Sequence, residues 1–113
     1  MSKRYPSLIV ADMLQCIEEL RSFTEGYTYE AFIEDTKTFR AVLANIMILG
    51  EAVRHLDEAT MALEPTIEWH KLRGMRNRLI HEYFDVDSQI LWTVATVEAS
   101  ELLLPLQSLQ SKL

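Results

Sequence analysis

A chain of 113 residues, 49% of them apolar and with only three glycines and three prolines, has room for one domain over residues 1–113. That composition excludes a disordered or low-complexity protein. Seventeen carboxylates against eleven basic side chains give a net charge of −6 and a pI near 5.0, which excludes broad, sequence-blind adhesion to nucleic acid, because such binding works by neutralising phosphates.

The longest apolar runs, Ile46-Met47-Ile48-Leu49 and Leu102-Leu103-Leu104, fall far short of the roughly 20 residues of a membrane span. Asp12 interrupts the apolar stretch behind the basic amino terminus and no small-residue cleavage site follows, so a cytoplasmic protein that does not engage a membrane is expected. The single cysteine, Cys16, cannot form an internal disulfide and reads as a small hydrophobe in the core.

In chain order, Leu8, Met13, Leu14, Ile17, Leu20 and Phe23 follow helical spacing from Pro6 to Thr24, and Gly26-Tyr27-Thr28 ends that helix. Thr28 caps a short helical turn through Phe32. Asp35 or Thr36 then caps a long helix carrying Phe39, Val42, Leu43, Ile46, Leu49, Val53 and Leu56, with Gly50 marking close packing rather than a break. Residues 57–65 read as a loop with one helical turn. Thr66 and Glu68 open a third helix that runs to Tyr83 or Phe84. Asp87 caps a fourth, from Ser88 to Leu109, which Pro105 should kink or fray. No alternating strand pattern is visible. The fold expected is all-α, an up-and-down four-helix bundle with extra short helical turns.

The third helix carries the chemistry. At about 100° per residue, Trp69, Leu72, Met75, Leu79, Ile80 and Tyr83 fall in one apolar arc of about 140°, with Arg76 in its middle. A guanidinium there needs a partner or a ligand. His70, Asn77 and His81 gather within about 40° on the flank, Arg73 lies between them and the arc, and Asn77 and His81, four apart, are neighbours on a helix. Lys71, Arg73, Arg76 and Arg78 crowd four of the eleven basic side chains into eight residues, a local cationic strip on an acidic body.

The string Arg76-Asn77-x-x-x-His81-x-Tyr83 follows Pro65-x-x-x-Trp69 and precedes Phe84-Asp85-Val86-Asp87 and a Trp92-containing helix. Together with Asp12-Met13-Leu14, Phe23-Thr24-x-Gly26, Phe32-x-x-Asp35 and Ile48-Leu49-Gly50-Glu51-Ala52, it resembles the HepT-like branch of the HEPN superfamily over nearly the whole chain. The resemblance implies an all-helical, usually dimeric protein, many of whose relatives are metal-independent ribonucleases. It also implies a toxin paired with a small nucleotidyltransferase antitoxin of the MntA kind, which adds AMP to the motif tyrosine. Arg76 and His81 would then be catalytic, Asn77 supporting, Arg73 and Arg78 candidates for binding RNA phosphates, and Tyr83 the modified residue. No cofactor is implied. The alternative is a non-catalytic HEPN module that binds nucleotide or docks on a nucleotidyltransferase.

The residue types suit that chemistry. Metal-free RNA cleavage by the 2′-hydroxyl needs one proton removed, one donated and extra negative charge stabilised. Histidine titrates near working pH, and arginine is a permanent bidentate donor to phosphate. One His81 cannot easily act as base and acid in a concerted step, whereas a two-fold dimer would bring two copies to one cleft. Structural readings stand beside these. Arg76 can pair with Glu51 or Asp35, Arg73 and Arg78 can be solvated charges, and His70 reads as solvated. Tyr83 can be a packed phenol, an AMP acceptor or a direct phosphate contact. The spacing of His55, His70 and His81 offers no metal site.

Overall fold

The computed structural model describes residues 5–82 and 85–113. Helix α1, Pro6–Thr24, begins on the proline, whose fixed φ suits a first turn and whose missing N–H has no intrahelical partner there in any case. Gly26, at φ 78°, turns the chain through the left-handed region that glycine enters without steric cost. Helix α2, Tyr29–Glu34, is capped by the Thr28 hydroxyl accepting from Ala31 N at 3.1 Å.

Helix α3, Thr36–Arg54, is capped by Asp35, whose Oδ1 accepts from Thr38 N at 3.1 Å. The other oxygen of that carboxylate accepts from the Tyr27 hydroxyl at 2.5 Å and the Thr38 hydroxyl at 2.9 Å. These bonds, Tyr27 first, hold Asp35 below the usual carboxylate range.

The core lies where α1 packs against α3 and against the C-terminal helix. Val10, Met13, Ile17 and Leu20 meet Val42, Ile46, Leu49 and Val53 there, with Leu106 and Leu109 closing the other side, all of them buried. Phe32 is fully buried, its ring 5.2 Å from Phe39 and 5.1 Å from Trp92. Full burial of such a side chain stabilises by about 1.5–3 kcal/mol. Cys16 is buried as expected, and burial pushes its thiol up to about 11.

The short helix α4, Glu58–Ala62, supplies the turn expected between residues 57 and 65, capped by Asp57 through Thr60 N at 2.7 Å. The expected third helix is corrected in three respects. It opens at Trp69 rather than on a Thr66 cap, because Thr66 donates its hydroxyl to Glu64 instead, at 2.8 Å. It is interrupted at Gly74, giving α5, Trp69–Arg73, and α6, Met75–Leu79. It also stops at Leu79, because Ile80 is extended (φ −111°, ψ 110°) and the Leu79 carbonyl accepts from Asp87 N at 2.8 Å rather than from the next helical turn.

Strand β1, Ile80–Glu82, then pairs antiparallel with β2, Asp85–Val86, in register Ile80 with Val86 and Glu82 with Asp85, a small sheet the sequence pattern did not announce. The bundle is otherwise all-α, as expected.

Asp87 caps helix α7, Ser88–Thr93, through Ile90 N at 3.0 Å. The helix continues through a π-helical stretch, Val94–Glu98, closed by Ala99 N–H donating to Val94 O, into α8, Ala99–Ser111. Pro105 does not fray α8, which runs past it to Ser111. Glu101, whose carbonyl the proline leaves without its helical donor, belongs to the exposed face, where water can serve it.

Candidate active site

The segment expected to be one continuous amphipathic helix is a helix, a one-residue break, a second helix and a strand. This repositions Arg76. With Ile80 out of helical phase, the buried face of the α5–α6 segment centres on Leu72, Met75 and Leu79, and at about 100° per residue Arg76 sits roughly 70° from that centre. It is exposed rather than set in the middle of the core-facing arc. Among the described residues its guanidinium makes no hydrogen bond and no ion pair. Asp35, one partner considered for it, is engaged by Tyr27 and Thr38, and the carboxylate of Glu51, the other, stands 3.4 Å from His55 Nε2.

Arg76 instead lines a cleft of about 50 Å³ between α3 and the α5–α6 segment, together with Ile46, Met47, Gly50, Glu51, Arg54 and Arg73. Arg73 reaches the exposed carboxylate of Glu58 at 3.6 Å and lies 3.4 Å from the Met61 sulfur. A pair that exposed contributes little and is readily exchanged.

His81 lies beyond the helix end, on β1, so the four-residue helical adjacency to Asn77 does not exist. Its imidazole is exposed, with Nε2 3.7 Å from Asp87 Oδ2. Asn77 is exposed on α6 with no hydrogen-bond partner among the described residues. His70 is likewise exposed, as its solvated reading required. Tyr83 and Phe84 lie outside the described residues.

Arg78 has a different environment. Its guanidinium donates to both oxygens of Glu98 at 3.0 and 3.1 Å, and Lys71 approaches the same carboxylate at 3.4 Å. The Arg78 bonds lead the causes that hold Glu98 below the usual carboxylate range, and the same bonds push Arg78 further up. Two of the four cations in the strip are thus committed to one carboxylate, while Arg73 and Arg76 face the cleft.

Sequence reasoning missed Arg54. The signal was Gly50: a glycine within a long helix marks close packing, and the residue four further on shares its face. It also read Asp87 only as a helix cap, whereas one carboxylate oxygen caps α7 and the other faces His81.

Chemically, an exposed imidazole beside a carboxylate can exchange a proton with a bound group, and a guanidinium free of protein partners offers its full fork of donors to an anion. Among the described residues, no three His, Cys, Asp or Glu side chains gather as a metal ion would require, and no helix is long and apolar enough to cross a membrane.

Against known proteins, the family described as "Ribonuclease HepT-like" matches residues 13–109. The chain belongs to the HepT-like ribonuclease family. It is 37% identical over 90 residues to the "Probable ribonuclease HepT" of Thermococcus cleftensis, covering 80% of this chain and 82% of that protein. It is 31% identical over 94 residues to "Putative RNase MJ0127" of Methanocaldococcus jannaschii, covering 83% and 78%. With "Putative RNase TTE0752" of Caldanaerobacter subterraneus it shares 34% identity over 97 residues, covering 86% and 87%. No solved structure matches. For a HepT-like chain, Arg76 and His81 stand on successive elements, α6 and β1, both open to solvent.

Proposed function

We propose that this chain is a metal-independent endoribonuclease toxin of the HepT type. In this reading Arg76 binds the scissile phosphate and stabilises the charge that develops on it, His81 moves the protons, and Asp87 orients His81. Asn77 supports the phosphate from the exposed face of α6. The observation that carries the reading is an Arg76 guanidinium without a partner among the described residues, five residues before an exposed imidazole backed by a carboxylate, in a chain of a ribonuclease family.

Because one imidazole serves poorly as base and acid together, the working unit is a two-fold homodimer whose cleft holds both copies of His81. Such a protein works in the cytoplasm, where its RNA is. A nucleotidyltransferase partner would silence it by placing AMP on Tyr83. The added bulk and negative charge beside Arg76 and His81 would repel RNA.

The test is incubation of purified protein with total RNA, beside Arg76→Ala and His81→Ala variants of matched thermal stability. Both substitutions should reduce cleavage by at least about 100-fold, the scale of losing one acid–base or oxyanion-stabilising group. Unchanged cleavage by His81→Ala overturns the assignment. Mixing wild type with an excess of His81→Ala should lower activity more steeply than the wild-type fraction falls, because a mixed dimer holds a single imidazole in its cleft. Incubation with the cognate nucleotidyltransferase and ATP should add whole AMP masses to the peptide containing Tyr83.

A further inference from the structure

We infer that the cleft between α3 and the α5–α6 segment is a second phosphate subsite, in which Arg54 and Arg73 hold the RNA phosphodiester next to the scissile one. This rests on the ribonuclease reading above and extends it to a residue on a different helix from the motif.

Three guanidinium-bearing residues, Arg54, Arg73 and Arg76, line this one small cleft in a chain whose net charge is −6. Glu51 is the single carboxylate among the lining residues, and His55 approaches it at 3.4 Å. Arg54 and Arg76 make no ion pair among the described residues, and the tie of Arg73 to Glu58 is a long surface contact. Three guanidinium groups against one lining carboxylate leave the cleft with a net positive charge that an anion would neutralise.

The geometry favours a small anionic group. About 50 Å³ is several times the roughly 10–15 Å³ needed by one water, the scale of a small polyatomic group. Gly50 lines the cleft between the flanking side chains of α3. Arg76 belongs both to this cleft and to the motif with His81, so a strand whose scissile phosphate lies at Arg76 can pass its neighbouring phosphate directly to Arg54 and Arg73. Arg78, bound to both oxygens of Glu98, is not available for this task.

The experiment measures binding apart from cleavage. A fluorescein-labelled 2′-O-methyl oligoribonucleotide, which lacks the attacking hydroxyl, is titrated by anisotropy across a salt series with wild type, Arg54→Gln, Arg73→Gln and, as a control for bulk charge, Arg40→Gln. Arg40 is exposed on α3 but does not line the cleft. Arg54→Gln and Arg73→Gln should each weaken binding several-fold and reduce the magnitude of the salt slope by about 0.7, the increment for one phosphate contact on a single strand. Arg40→Gln should leave the slope unchanged. Arg54 is exposed and its guanidinium makes no hydrogen bond among the described residues, so Arg54→Gln should melt with the wild type.

Superposable titrations for wild type and Arg54→Gln, or an equal effect of Arg40→Gln, overturn the subsite. So does failure of the wild type to bind the oligonucleotide. Binding that responds to Arg54→Gln in a protein that cuts no RNA would uphold the subsite and overturn the nuclease reading alone.

Discussion

The carboxylate of Asp87 faces two ways: Oδ1 accepts from Ile90 N at 3.0 Å to cap α7, and Oδ2 stands 3.7 Å from His81 Nε2. The two duties can be separated by substitution. Asparagine caps a helix about as well as aspartate but brings no negative charge to the imidazole, whereas alanine does neither and costs about 1 kcal/mol of cap. Asp87→Asn should therefore melt within a few degrees of wild type while lowering kcat for RNA cleavage about tenfold or more. Asp87→Ala should lose both stability and rate. Full activity in a stable Asp87→Asn variant would show that Oδ2 has no part in positioning His81.

The Arg78–Glu98 pair predicts a pH dependence of stability with a definite sign. Glu98 sits below its ordinary range in the folded chain, so the unfolded chain binds more protons at mildly acidic pH and stability falls as pH falls. The contribution is complete above the unfolded carboxylate value of about 4.3 and disappears as pH drops through the lower folded value. Urea unfolding at pH 7 should show Glu98→Gln less stable by about 1.5–3 kcal/mol, the range for hydrogen bonds to charged groups. The gap should narrow steadily from pH 5 toward pH 3. A gap independent of pH would mean that Glu98 acts through packing rather than charge.

Gly74 interrupts the α5–α6 segment without needing to be glycine. Its φ of −86° and ψ of 5° are open to alanine, and an added Cβ would meet only the His70 and Lys71 carbonyls, at 3.6 and 3.8 Å. Gly74→Ala should stabilise the chain by about 0.4–1 kcal/mol through the unfolded state, a rise of a few degrees in Tm by calorimetry. A fall in Tm would show that the break itself is required.

Cys16 is 5% exposed and its thiol is pushed up to about 11, chiefly by burial, so little thiolate exists at neutral pH. A disulfide reagent at pH 8 should label native protein only as fast as the bundle opens, and label it promptly in urea. Rapid labelling of the folded chain would contradict the packing of α1.

Four helix starts were legible in the sequence because each is written by one residue: Pro6, Thr28, Asp35 and Asp87 stand where local chemistry puts them, whereas the Asp57 cap of α4 and the opening of α5 at Trp69 were not read. The end of the motif helix was not legible. Helical spacing continues past Leu79 in the apolar residues, but the chain leaves the helix because the Leu79 carbonyl takes a donor from Asp87, eight residues away, a partner no periodicity can announce.

The π-helical stretch before Ala99 was hidden for a related reason. One extra residue in a turn shifts the phase by about 100°, and the apolar pattern of Val94, Ala95 and Ala99 is compatible with either winding. In the candidate site, the residue types pointed to Arg76 and His81, while their surroundings, Arg54 on one side and Asp87 on the other, came from elements packed together only in the folded chain.

Because the motif straddles a helix-to-strand junction, spacing between its guanidinium and its imidazole obeys the arithmetic of an extended backbone. One residue inserted after Ile80 would turn the imidazole to the opposite face of its short ribbon, whereas two would return it to the side it now occupies, displaced by about 7 Å along the strand. Such a chain accommodates insertions of even length at this joint far better than odd ones.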